Sequence, residues 1–234
     1  MTFLSVICFS LLAHLTATGA EVAGRIQLRD SQERKVERGH DYSNVVVWLE
    51  PVGAKPLEPE TPGKAVMLQK NKKFVPHVLA VRKGTLVDFP NLDAIFHNAF
   101  SNFSGQLFDI GLYKPGSSRT VPFQRPGIVR VFCNIHSAMS AVIVVVDTPW
   151  FAITGQDGTF RISGIPAGEY RMKVFHERAT PAVLAKQERV VTVNADGISD
   201  LALTISENGY LSIPHGNKHG KPYPRNGDSY GVQQ

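Results

Sequence analysis

Charge is scarce in this chain. Asp, Glu, Lys and Arg make up 19% of 234 residues, and 25 basic against 20 acidic side chains leave a net charge of only +5. So mild an excess excludes a dedicated nucleic-acid binder, which concentrates basic residues on one face. The first twenty residues, MTFLSVICFSLLAHLTATGA, contain no Asp, Glu, Lys or Arg. Their apolar stretch, Phe3 to Leu15, is still shorter than the roughly 20 residues of a membrane-spanning helix, and no later segment is apolar enough to span. Helical periodicity is almost missing, which excludes helix-based cofactor folds. No internal repeat is visible. Cysteine is scarcest of all the chemically informative residues, with Cys8 and Cys133 the only two.

Thr18, Gly19 and Ala20 are small residues ahead of Glu21 and offer a cleavage site after an apolar leader. Residues 1–20 are therefore expected to be a cleaved signal peptide, although the leader lacks a starting Lys or Arg. A buried N-terminal helix or strand is the alternative. Export places the protein in the periplasm or outside the cell. Removing the leader removes Cys8 and leaves Cys133 alone. An odd thiol in an oxidising compartment calls for an intermolecular disulfide, a reactive thiol or a metal.

Short β-branched and aromatic runs fill the chain from Glu21 onward: GRIQL (24–28), NVVVWLE (44–50), KGTLVDF (83–89), IVRVFC (128–133), AVIVVVD (141–147), GTFRIS (158–163), YRMKVF (170–175), ERVVTV (188–193) and LALTIS (201–206). Gly, Pro, Asn and Asp separate most of them, the pattern of an all-β sandwich protein. The one expected helical patch covers Pro181–Gln187. Residues 51–63, with four prolines, read as a linker or long loop. Residues 207–234 are polar, rich in Gly, Pro and Asn, and read as a flexible tail.

IVRVFCNIHSAM spaces Cys133, His136 and Met139 three residues apart, between two strands. A thiolate, an imidazole and a thioether on one short loop are soft ligands suited to copper. NLDAIFHNAF supplies His97, 36 residues upstream of Cys133 on another loop. His97, Cys133, His136 and Met139 together match the trigonal His2Cys arrangement with a weak axial Met that holds one copper ion in blue copper sites. Four protein ligands leave no open position for a substrate, so electron transfer is favoured over catalysis and no enzyme activity is expected. The competing readings are a buried structural Cys, a zinc site, which usually lacks Met, and a Cys–His nucleophile, for which no activating partner is visible. A multicopper oxidase needs His-x-His pairs, and none occurs among the eight histidines. His77, in the strand pattern FVPHVLAV, reads as structural. His40 and His176 have no metal spacing, and His215 and His219 lie in the tail.

From about Met67 to Asp147 the chain resembles the cupredoxins, specifically the plastocyanin, amicyanin and pseudoazurin group. FVPHVLAVRKGTLVDFPNLDAIFHNAF is similar to the first half of that family and FDIGLYKPGSSRTVPFQRPGIVRVFCNIHSAMSAVIVVV to the second. The resemblance implies a Greek-key β-sandwich over residues 61–147. It implies that Asn98, next to the first ligand, helps fix the two ligand loops together. Asn134-Ile135 stands where relatives often carry Thr-Pro between Cys and His, and Asn134 is the other expected support beside the ligands. In the resembled family the exposed edge of the His136 counterpart passes electrons.

TGQDGTFRISGIPAGEYRMKVFHE looks like the second half of a carboxypeptidase regulatory-like (transthyretin-like, carbohydrate-binding-like) β-sandwich. The elements that open such a module, AGRIQLR and SNVVVWLEP, lie far upstream at residues 23–51. Residues 21–60 and 148–206 are thus expected to form one split sandwich with the cupredoxin inserted. The alternative is a tandem, with 21–50 as extra cupredoxin strands. The whole resembles exported proteins labelled methylamine-utilisation-like, a label that carries no metabolic role by itself. The expectation is an exported electron carrier with redox partner proteins and no nucleic acid. The competing functions are a non-redox copper delivery or sensing module and a carbohydrate-binding adhesion or scaffold protein.

Overall fold

The computed structural model describes residues 19–53, 61, 63–102, 105–212 and 215–223. Most of the expected leader (1–18, with Cys8), the middle of the proline-rich linker (54–60 and 62) and the end of the expected tail (224–234) lie outside the described residues.

In chain order the elements are β1 (Ala20–Arg29), α1 (Arg34–Glu37), β2 (Val46–Pro51), β3 (Lys64–Val66), β4 (Leu68–Lys70), β5 (Lys73–Val75), β6 (Val78–Arg82) and β7 (Leu86–Pro90). There follow β8 (Phe100–Ser101), β9 (Phe108–Asp109), β10 (Ser118–Pro122), β11 (Gly127–Phe132), β12 (Ser140–Val146) and β13 (Phe151–Ile153). β14 (Thr159–Ile165), β15 (Gly168–Phe175), α2 (Pro181–Gln187), β16 (Arg189–Val193) and β17 (Ile198–Ser206) complete them. The fold is an all-β sandwich architecture.

Four sheets stack in layers: β14-β1-β17, then β13-β2-β15-β16, then β6-β12-β11-β8-β9, then β10-β7-β3. Alternation along each strand decides which gap a side chain fills. Between the first two sheets lie Val22 and Ile26 of β1, Val47 and Leu49 of β2, Met172 of β15 and Ile205 of β17. Between the last two lie Ala141, Ile143 and Val145 of β12, Val129 and Val131 of β11, and Val87 and Phe89 of β7. The middle gap takes the intervening residues: Val46 of β2, Val142, Val144 and Val146 of β12, Val78 of β6 and Phe175 of β15. β2 and β12 are therefore covered on both faces. That is why VVVWL and AVIVVV run apolar without the alternation of a half-exposed strand.

Strand pairing joins the two ends of the chain. β1 runs antiparallel to β14 and parallel to β17, and β2 pairs with β13 and β15. Strands β3 to β12 pair among themselves. The Asp157–Gly158 turn meets β1 closely: a Cβ on Gly158, at φ +79°, would stand 2.1 Å from the Ile26 carbonyl oxygen, a place only glycine fills. Tyr170 returns its hydroxyl to the Pro166 carbonyl at 2.8 Å, closing the Pro-x-Gly-x-Tyr turn, and meets Trp150 edge to face at 5.3 Å.

One expectation needs correction. A second helix, the four-residue α1, precedes β2 and buries Val36. One turn carries too little period to show in the sequence. Of the expected tail, residues 207–212 and 215–223 are described; most are exposed or half-buried, while Glu207 and Asn217 are buried. The Glu207 carboxylate bonds His176, Arg178 and Ser31, and His215 lies over Phe132. Side-chain bonds and ring stacking hold these residues, and neither leaves a hydrophobic period.

Candidate metal centre

Two loops at one end of the β10-β7-β3 and β6-β12-β11-β8-β9 layers meet over the core between them. The first leaves β7 and carries His97, which is pinned by backbone bonds in both directions with Tyr113, at 3.3 and 2.9 Å. The second joins β11 to β12 and carries Cys133, His136 and Met139. It is cinched by Cys133 N–H to the Met139 carbonyl at 3.2 Å and by Met139 N–H to the His136 carbonyl at 3.0 Å. The three-residue spacing seen in the sequence is thus the spacing of one tight turn, which brings Cys133 Sγ and His136 Nδ1 to the same side.

His97, Cys133 and His136 each aim one donor atom inward, all within 4.8 Å of one another. Cys133 Sγ lies 3.9 Å from His97 Nδ1 and 3.7 Å from His136 Nδ1. A trigonal centre with bonds of about 2.0 Å to nitrogen and about 2.3 Å to sulfur would set each such pair roughly 3.8 Å apart, so the donor set fits one transition-metal ion. Met139 is fully buried in the same core as Cys133. The cluster is almost sealed: His97, Cys133 and Met139 are 0% exposed and His136 is 9% exposed.

Supports surround the ligands. His97 turns its other nitrogen, Nε2, to Asp93 Oδ2 at 2.8 Å, the carboxylate–imidazole pairing that fixes ring orientation in metal sites. Asp93 is held in turn by the N–H groups of Asn71 at 2.5 Å and Lys72 at 2.8 Å. Those two residues, at φ 56° and 54°, form the turn of the β4–β5 hairpin, both in the left-handed region of a tight hairpin. Asn98 Oδ1 accepts from Asn134 N–H at 2.5 Å, joining the two ligand loops, and its Nδ2 donates to Asp109 at 3.2 Å. Asn98 and Asn134, the two supports expected beside the ligands, are therefore in direct contact. Asp93 was not singled out, though its place four residues before His97 was legible in NLDAIFH.

The electrostatics suit a metal-bound thiolate. Burial pushes the Cys133 thiol up, but hydrogen bonds from His97 and from backbone N–H groups of Asn98, Ile135 and His136 outweigh it and leave the thiol below its usual range. Burial pushes His97 down, and the bonds to Cys133 and Asp93 more than reverse that.

Three other histidines lie elsewhere. His77 bridges the two halves of the molecule, with Nε2 2.8 Å from Glu177 and Nδ1 3.1 Å from the Ser140 carbonyl. His176 is buried against Glu207, and His40 bonds Tyr42. Among the described residues, His97, Cys133 and His136 form the one group of three or more metal-capable side chains.

No protein-family model matches the chain, and no curated protein matches it. Among solved structures it is similar to a copper-containing nitrite reductase from Thermus scotoductus, at 29% identity over 42% of this chain and TM-score 0.34. The chain spans 25% of that reductase's length. It is also similar to a purple cupredoxin from Nitrosopumilus maritimus, at 22% identity over 35% of this chain and 99% of that one, TM-score 0.33. A variant of amicyanin in its Cu(I) form shows 21% identity over 36% of this chain and 83% of that one, TM-score 0.34. Neighbours of this kind are copper proteins, but at these TM-scores the likeness decides nothing about the site. The donor set does.

Proposed function

We propose that the protein is an exported type 1 copper protein that carries single electrons, in which His97, Cys133, His136 and Met139 would hold the ion. The observation that carries this reading is the nearly sealed cluster of one thiol and two imidazoles, with donor atoms already at the spacing one ion requires. Copper supplies a Cu(II)/Cu(I) couple when bound. The chain's own residues do the rest. Asp93 orients the His97 ring and Asn98 ties the two ligand loops together, so the donors would need to move little on electron exchange. Burial excludes water from the thiolate side, while the slightly exposed His136 is the ligand nearest solvent.

Leu92, Ile95, Phe96 and Leu112, on the loops that position His97, are exposed and offer a redox partner an apolar surface beside the centre. In this reading the β1, β2 and β13–β17 layers present the copper sandwich as a scaffold, the leader directs export, and the protein is a carrier and not an enzyme. Protein-film voltammetry separates a carrier from a delivery or sensing module. One reversible one-electron wave with fast exchange is expected. Copper that binds but shows no reversible wave would overturn electron transfer.

A further inference from the structure

Residues 215–223 have no hydrophobic period, yet they close into a built turn. Asn217 organises it: Oδ1 accepts from the His219 N–H at 2.9 Å and the Lys221 N–H at 3.1 Å, and its own N–H donates to the Lys221 carbonyl at 2.8 Å. Gly220, at φ +72°, donates its N–H to the Asn217 carbonyl at 2.8 Å. Asn217 is 7% exposed, so this bonding is internal to the molecule.

The turn meets the ligand loop at successive residues. Tyr223 donates its hydroxyl to the Cys133 carbonyl at 2.8 Å. Lys218 N–H donates to Asn134 Oδ1 at 2.9 Å, and His215 Nε2 lies 3.0 Å from the Ser137 carbonyl. The His215 ring covers Phe132, the residue before Cys133, with centroids 3.9 Å apart. Lys218 also completes a circuit: its Nζ donates to Asp109 at 2.8 Å, Asp109 accepts from Asn98, and Asn98 accepts from the Asn134 N–H. One lysine thus grips the loop through its backbone and the Asn98 support through its side chain.

The geometry points to a positioning role for this segment: it braces residues 133–137 from outside, with Lys218 and Tyr223 as positioning residues of the metal centre. Its functional meaning rests on the copper reading above, but the brace itself does not need the metal. Because the bonds go to the backbone of a ligand and to the residue after it, their loss loosens the loop without removing a donor.

Hydrogen exchange of the copper-free full chain tests the brace, read by mass spectrometry over residues 133–139. Tyr223→Phe, which keeps the ring, should raise loop exchange about fivefold, the effect of one net hydrogen bond. Asn217→Ala, which unlocks the turn, should raise it about tenfold or more, while β12 exchange stays unchanged as an internal check of folding. The copper-loaded Asn217→Ala protein should then show a shifted visible band and reduction potential. Loop exchange unchanged in both variants would overturn the brace. Faster exchange with band and potential equal to wild type would overturn the positioning role. If wild-type chain takes up no copper while loop exchange still rises, the proposed function fails and the brace stands.

Discussion

Cys133 sits between two opposing demands: burial disfavours its thiolate, while the His97 ring and backbone N–H groups aimed at the sulfur favour it. A structural cysteine in an apolar core would show only the first. The carboxamide of Asn98 matters for the same economy, since it satisfies the Asn134 N–H at the mouth of the ligand loop. Asn98→Ala should therefore cost the copper-free protein about 1–3 kcal/mol, the penalty of leaving that N–H unsatisfied, measurable by urea unfolding. At Glu207, burial raises the carboxyl, but bonds from His176, Arg178 and Ser31 bring it down to about 2 from the usual 4.5. A carboxylate so lowered contributes stability above about pH 4.5, and that contribution is lost as pH falls toward about 2. Thermal melts from pH 6 to pH 2 should show a fall on this limb in wild type and a flatter one in Glu207→Gln. Equal slopes would remove Glu207 from the account.

Among the elements, β2 and β12 do most to join the layers, because each fills two gaps with alternate side chains. Phe175, at the end of β15, seals the middle gap against Val142, Val144 and Val146. Phe175→Ala should destabilise the chain by roughly 3–5 kcal/mol, read as a lower urea midpoint at unchanged slope. The long strands were legible in the sequence because β-branched runs flanked by Gly, Pro or Asn have few other fates. So was the ligand loop, because Cys133, His136 and Met139 are local to one turn. Two- and three-residue strands such as β8 and β3 were not legible. They exist through pairing with distant partners, as Phe100 does with Phe132, and no local pattern encodes that. The 215–223 turn was missed for a related reason. Its composition is that of a loose tail, and what orders it is a buried Asn217 and a ring stacked on Phe132.

Among the described residues, four sheets stack with one continuous series of apolar gaps beside the small β4-β5 hairpin, and the chain crosses between the first two layers and the last two twice. Layers that share a buried gap should unfold together. The copper-free protein is expected to melt in a single calorimetric transition, with calorimetric and van't Hoff enthalpies equal. Copper at a thousandfold excess over its dissociation constant should move that transition upward on the order of 10 °C. Two separated transitions, with copper shifting only one, would show that the sheets behave as independent units.

The most direct test of the central claim is the visible spectrum of the purified protein titrated with Cu(II). An intense blue or green thiolate-to-copper band, saturating at one ion per chain, bleached by ascorbate, restored on reoxidation and lost in Cys133→Ser, is the expected result. A colourless copper complex, or a coloured one unchanged in Cys133→Ser, would contradict it.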